Sequence, residues 1–238
     1  MTTPDWLERT SLLMGPDKME RFHRADVLVV GTGGVGAYAA EMLVRAGIGR
    51  LTLLDADRVQ PSNINRQLCA LHSTVGEEKV RVLGLRFKDI NPELDLTVRA
   101  EFLEEHSAGA LLDSAKFDFI VDAIDTIAPK CALIEEAMKR RIRIVSSMGA
   151  GAKTDITQIR FADLWETFHC GLSKAVRARL KRDGMRRPLP VVCCAQQADP
   201  AALVQVEGER NKKTTTGTVS YMPAVFGCYL AQYVISRL

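Results

Sequence analysis

The sequence predicts an α/β fold: a doubly wound, mostly parallel sheet with a C-terminal extension that carries a basic helix and an apolar C-terminal helix. Three observations carry this. Short apolar, β-branched runs without polar alternation (26–30, 51–54, 117–124 and 142–148) read as strands buried on both faces. Segments with helical apolar spacing separate them, giving the β-α-β succession of a parallel sheet. The first run leads into Gly31-Thr32-Gly33-Gly34-Val35-Gly36. Its glycines at 31, 33 and 36 match the G-x-G-x-x-G turn that brings backbone N–H groups close to phosphate oxygens.

Taken in order, residues 6–15 predict a short helix stopped by Gly15 and Pro16, and Asp17 is placed to cap a second helix through Arg24. Arg9 stands beside an apolar patch and by itself reads as a solvated cation. Residues 37–46 form the helix after the glycine turn, with the positive end of its dipole at the turn. Asp55 ends the second strand 24 residues after Gly31, near the distance at which an acidic side chain reaches a ribose hydroxyl. The polar run from Ala56 to Gln67 follows, at the strand end where open α/β sheets bind ligands. Residues 76–91 predict a helix with Lys79 in its first turn. A lysine there opposes the dipole, and the residues alone favour a solvated side chain.

Residues 94–100 alternate like a strand, and 107–114 read as a short helix. The strand 117–124 runs into Asp125, which reaches the same sheet edge as Asp55 and the glycines. A helix with a basic end spans 129–141, and 157–161 resembles one more strand. Residues 172–182 form a strongly basic helix. From Lys174 to Arg187 seven cations (Lys174, Arg177, Arg179, Lys181, Arg182, Arg186, Arg187) face one acid, Asp183. In a chain of net charge only +3, that clustering points to an anionic partner, with a phosphate backbone the obvious one. The stretch 188–216 reads as loop, and Cys193-Cys194 within it as buried or idle thiols.

With 238 residues the chain can bury a sizeable core. The six cysteines include no C-x-x-C pair, which argues against a four-cysteine zinc site, and reduced, cytosolic thiols are the default. The N-terminus has no apolar stretch of the kind a secretory signal requires. Residues 219–235 hold no charge over 17 positions, the short limit for a spanning helix. Pro223, Ser220 and Gln232 make it a buried core or subunit-interface helix, with peripheral membrane contact the lesser alternative and no stable transmembrane insertion.

Four features coincide: the glycine turn, Asp55-x-Asp57, Asn63-Ile64-Asn65-Arg66-Gln67 and Asp122-x-x-Asp125, with Lys79 between the last two. Over about residues 6–160 this set resembles the ubiquitin-activating-enzyme-like adenylyltransferases. The resemblance implies one ATP-binding domain over 1–238, with a Rossmann-like nucleotide core at 17–160 and a substrate and dimer extension at 161–238. It implies that Gly31, Gly33, Gly34 and Gly36 cradle ATP phosphates and that Asp55 holds the ribose. Asn63 and Arg66 would grip the triphosphate, Lys79 would pair with the phosphates and Asp125 would hold Mg2+, with Asp57 and Gln67 completing the nucleotide set. Arg9 matches an N-terminal arginine that reaches the ATP of the neighbouring subunit in a homodimer. Arg9, Arg66, Lys79 and Asp125 are then the catalytic set. That suits adenylation, where a carboxylate attacks the α-phosphorus and the catalyst supplies positioning and cations.

Members that activate sulfur carriers usually hold two C-x-x-C zinc pairs, which are missing here. Instead, Arg9-x-x-x-Leu13-x-Gly15, Gly47-Ile48-Gly49 and the run from Gly217 to Gly227 are similar to the tRNA threonylcarbamoyladenosine dehydratases over nearly the whole chain. This implies ATP-dependent ring closure of a threonylcarbamoyl group on an anticodon-loop adenosine, with release of AMP and pyrophosphate. It also implies a tRNA partner for the basic segment, a cytoplasmic homodimer, a monovalent cation (K+ or Na+), and cysteine-desulfurase or sulfur-acceptor partners. Two alternatives stand beside it: activation of the C-terminus of a small sulfur-carrier protein, and a dinucleotide-binding oxidoreductase or sensor.

Overall fold

The structure, a computed structural model, describes residues 4–205 and 214–238. Two short helices, α1 (Glu8–Met14) and α2 (Pro16–Arg24), lead into β1 (Asp26–Val30), α3 (Gly36–Arg45) and β2 (Arg50–Leu54). Then come α4 (Lys79–Ile90), β3 (Asp95–Arg99), α5 (Ala108–Asp113), β4 (Phe119–Asp122), α6 (Ile127–Arg140) and β5 (Arg143–Ser147). The last part holds β6 (Ile159–Asp163), α7 (Gly171–Arg182), β7 (Pro190–Cys194), a small hairpin of β8 (Leu203–Gln205) and β9 (Thr214–Thr216), and α8 (Tyr221–Ile235). The main sheet has the order β3-β2-β1-β4-β5-β7-β6, parallel throughout except for β6 against β7. The winding reverses between β1 and β4, which opens a crevice at their carboxyl ends.

Both faces of the sheet are covered, which explains why its strands lack polar alternation. Val27 and Val29 of β1, with Phe119 and Val121 of β4, join a core with α2, α3, α4 and α8. Leu28, Val30 and Ile120 point the other way into a core with α5, α6 and α7. The apolar C-terminal run folds as α8 and buries Met222, Phe226, Leu230 and Val234 in the first core, packed on α3. Among the described residues no helix is long and apolar enough to cross a membrane.

Several expectations are corrected. The loop reading of 188–216 misses β7, an interior strand whose side chains alternate between the cores: Val191 and Cys193 to one, Val192 and Cys194 to the other. Residues 206–213 of that stretch lie outside the described residues. The division at 160 falls inside β6, so β6 and β7 extend the sheet well into the segment assigned to the extension. Asp17 does not cap α2: Gly15 takes the cap position, Pro16 starts the helix, and Asp17 is an acid in its first turn.

One ion cluster ties α3 to α4. The buried Glu41 carboxylate accepts Arg86 Nε at 2.6 Å, Arg86 Nη2 at 3.0 Å and Arg45 Nε at 2.9 Å. Burial by itself would raise the Glu41 carboxyl, but the two arginines outweigh it and hold it below its ordinary value. A carboxyl depressed on folding stabilises above its unfolded pKa of about 4.3, and that stabilisation is lost as pH falls through the folded value. The melting temperature is therefore expected to fall below about pH 4.3, with a shallower acid limb in Glu41→Gln. Identical acid limbs in the two proteins would refute the assignment.

Candidate functional site

The site forms where the sheet's winding reverses. Gly31 leaves β1 with a φ of +87°, and a Cβ there would lie 2.7 Å from the Ala123 carbonyl oxygen beyond β4. A Cβ at Gly36 would fall 1.8 Å from the Gly31 carbonyl, so the turn closes only with glycine at both positions. Asp55 locks this turn to the end of β2. One carboxylate oxygen accepts Thr32 N at 2.6 Å and Thr32 Oγ1 at 3.0 Å, and the other accepts Asp57 N at 2.8 Å. A carboxylate offers about four lone-pair positions, so acceptor capacity remains for a ribose hydroxyl.

The Asn63–Gln67 run folds over the turn from the other side. Buried Asn63 fixes its start by accepting Gln60 N at 3.0 Å. Asn65 Nδ2 donates to the Thr218 carbonyl at 3.0 Å, joining the run to the segment before α8. The Arg66 carbonyl lies 3.4 Å from a Cβ built on Gly34, while its half-buried guanidinium donates to Ser62 O at 2.9 Å and Asn65 Oδ1 at 2.8 Å. Gln67 sits against Gly33, and its side-chain oxygen is buried with no hydrogen-bond partner among the described residues. A buried amide left open beside a glycine cradle fits a site that a polar ligand completes.

Lys79 overturns the expectation of a solvated side chain: it is 4% exposed. Its backbone N–H donates to the Asp57 carbonyl at 3.1 Å and its Nζ pairs with Asp57 Oδ2 at 2.7 Å. The Asp57 carboxylate thus offsets the unfavourable dipole at the start of α4 and ties the ammonium to the residue whose N–H bonds Asp55.

Asp125 stands exposed at the same rim, on the loop after β4. Beneath it lies an ion pair that the residues alone did not disclose. Asp122 Oδ2 and Lys130 Nζ are 2.8 Å apart and fully buried. Ser146 Oγ donates to Asp122 Oδ2 at 2.6 Å, Ile124 N donates to Asp122 Oδ1 at 3.1 Å, and Lys130 Nζ donates to the Ile124 carbonyl at 3.0 Å. Two of these bonds end on Ile124 and the other two fix Asp122 and Lys130 beneath it, so together they hold the 123–125 segment that abuts Gly31. The available signal was an aspartate ending a wholly apolar strand, which demands a buried cation nearby.

Two groups of candidates lie elsewhere. Leu7 packs on Gly47, before β2, so Arg9 belongs to the amino edge of the sheet, away from its own chain's glycine turn. It is exposed on α1 beside Leu12 and Leu13, each 80% exposed. In the basic segment, Arg177 is used internally, donating to the Thr167 hydroxyl and carbonyl and to Leu164 O, and Arg179 bridges Glu105 and Asp183 at 2.7 and 2.5 Å. Arg182 leans on Asp183, and Arg186 lies over the Trp165 ring. Lys174, Lys181, Arg182, Arg186 and Arg187 stay exposed. The segment thus divides between buttress and accessible charge.

A family model, the ThiF family, matches residues 7–238. The chain belongs to the ThiF family. Among curated proteins, this ThiF-family chain is 35% identical to the tRNA threonylcarbamoyladenosine dehydratase of Bacillus subtilis (strain 168), over 97% of this chain and 93% of that protein. Among solved structures, it aligns with the E. coli tRNA N6-threonylcarbamoyladenosine dehydratase TcdA in complex with ATP, at 32% identity and a TM-score of 0.89, over 100% of this chain and 96% of that one. The same E. coli enzyme in complex with AMP aligns with a TM-score of 0.89, covering 100% of this chain and 97% of that chain. Complexes of one relative with ATP and with AMP are those of an enzyme that handles both nucleotides, and they match the expected fold and nucleotide chemistry.

Proposed function

We propose that this protein is an ATP-dependent, AMP-forming dehydratase acting on the threonylcarbamoyl group of a tRNA adenosine. The observation that carries the reading is one rim that gathers the glycine turn, Asp55, Arg66, buried Lys79 and Asp125. ATP lies with its ribose on Asp55 and its phosphates over the amides of the turn, at the positive end of α3. Arg66, Lys79, Asn63 and Gln67 complete the phosphate pocket. Mg2+ accompanying ATP requires only one or two carboxylates besides phosphate oxygens, a role for Asp125, and when bound it neutralises charge on the phosphates. In the first step a substrate carboxylate oxygen forms a bond to the α-phosphorus as the bond to the β-phosphate bridging oxygen breaks and pyrophosphate leaves. An internal nucleophile of the same group then attacks the activated carbonyl and gives up its proton, and AMP departs with the carboxylate oxygen. The net change in the nucleoside is loss of one water.

No protein nucleophile is required. The site's contribution is positioning and cationic stabilisation of the phosphate oxygens, which suits its lysine and arginine without an activated cysteine. Cys193 agrees with that reading: burial raises its thiol. Arg9 and the exposed Leu12 and Leu13 suit a cytoplasmic homodimer in which Arg9 serves the neighbouring subunit's nucleotide. Activation of a sulfur carrier is disfavoured by the lack of zinc cysteine pairs, and a dinucleotide oxidoreductase has no use for Arg66 and Lys79 at a triphosphate. The deciding assay is incubation with threonylcarbamoylated tRNA and ATP: AMP and pyrophosphate should appear only when that tRNA is present. ADP as product, or stimulation by a sulfur-carrier protein instead of tRNA, would overturn the reading.

A further inference from the structure

The nucleotide pocket occupies the carboxyl rim of the sheet. At the opposite, amino edge lies a second cleft of about 360 Å³ that the proposed chemistry does not use. Four arginines line it from four separate places: Arg141 in the turn before β5, Arg143 at the start of β5, Arg187 in the loop before β7 and Arg237 after α8. Among the described residues no acidic side chain lines it. Arg143 builds the wall, donating to the carbonyls of Asp118 at 3.1 Å and Arg237 at 2.8 Å with its guanidinium 5.0 Å from the centre of the Phe119 ring. Arg237 lies 3.5 Å from the centre of the Tyr233 ring. Arg141 and Arg187 are exposed, and neither side chain forms an ion pair among the described residues. Like charges gathered without a counter-ion raise the local potential and favour an anionic ligand.

The cleft is connected to the rim. Helix α7 begins at the carboxyl end of β5, where Gly149 N donates to Cys170 Sγ at 3.4 Å, and its chain continues through Arg186 and Arg187 to Pro190 at the amino end of β7. Twelve helical residues span about 18 Å. Its exposed positions, Gly171, Lys174, Ala178, Lys181 and Arg182, are spaced to fall on one face. A strip of accessible cations therefore runs from the rim down α7 into the arginine cleft.

The geometry points to an RNA path: a phosphate backbone follows the outer face of α7 away from the nucleotide pocket and is held at the amino edge by Arg141 and Arg187. This rests on the tRNA reading above and extends it to residues far from the chemistry. Arginine is suited to the role because its planar donor fork matches phosphate oxygens.

The test measures binding of in vitro transcribed tRNA to the full-length protein over a range of salt, for wild type and Arg141→Gln/Arg187→Gln, with thermal unfolding as the check on folding. Each lost phosphate contact lowers the slope of log affinity against log salt by about one, so the double variant should lose about two units of slope and bind tRNA about tenfold or more weakly at low salt. A folded double variant with wild-type affinity and slope overturns the path and leaves the tRNA reading standing. A wild-type protein that binds no tRNA overturns both.

Discussion

Arg66→Ala is expected to lower the rate of AMP formation by about 10²–10³-fold, the usual loss when one preorganised stabiliser of transition-state charge is removed. The folded state should hardly notice. Its guanidinium is half-buried and, among the described residues, hydrogen-bonds within its own loop, to Ser62 O and Asn65 Oδ1. Removing such contacts changes stability by about 0.5 kcal/mol, so the melting temperature should stay close to that of wild type. The split between rate and stability is the diagnostic part. A variant with unimpaired AMP release would remove Arg66 from the phosphate pocket, and one that loses rate and fold together would make its role structural.

Lys130→Met should do the reverse. Truncating the lysine leaves Asp122 as an uncompensated carboxylate in a fully buried position, and breaking such a pair typically costs about 3–5 kcal/mol. For a chain of this size each kcal/mol is worth about 2–4 °C in melting temperature, so a fall of roughly 6–20 °C is expected. Replacing both partners, in Asp122→Ala/Lys130→Met, removes the stranded charge and should recover part of the loss. A double variant less stable than the single one would mean that the pair's geometry, and not charge compensation, holds the 123–125 loop. Because that loop packs on Gly31 and carries Asp125, the single variant should also bind ATP more weakly at temperatures where it remains folded.

The parts legible in the sequence are those whose physics is local. A glycine turn between a buried strand and a helix needs its glycines within a few residues of one another, so Gly31, Gly33 and Gly36 mark the crevice proposed for the nucleotide, and Asp55 and Asp125 follow from the strands they come after. What the sequence hid depends on partners distant in the chain. β7 has only five residues, opens on a proline and sits in a long polar stretch, and its place in the sheet is decided by pairing with β5 and β6. Lys79 looks solvated until the carboxylate of Asp57 folds onto it 22 residues away. Lys130 is one cation in a helix rich in them, and only the burial of Asp122 selects it. Charge counting treated the basic segment as uniform, whereas contacts to Glu105, Asp183 and Thr167 turn Arg179 and Arg177 inward.

On the proposed mechanism, this rim makes a carboxylate of a modified tRNA attack ATP. Mass spectrometry of the nucleosides, after incubating the protein with threonylcarbamoylated tRNA, ATP and Mg2+, tests it most directly. The expected result is conversion of the threonylcarbamoyl nucleoside to a species lighter by one water, with one AMP released per conversion and none with Arg66→Ala in the same time. An unchanged nucleoside after full ATP turnover, or loss of water without AMP, would contradict it.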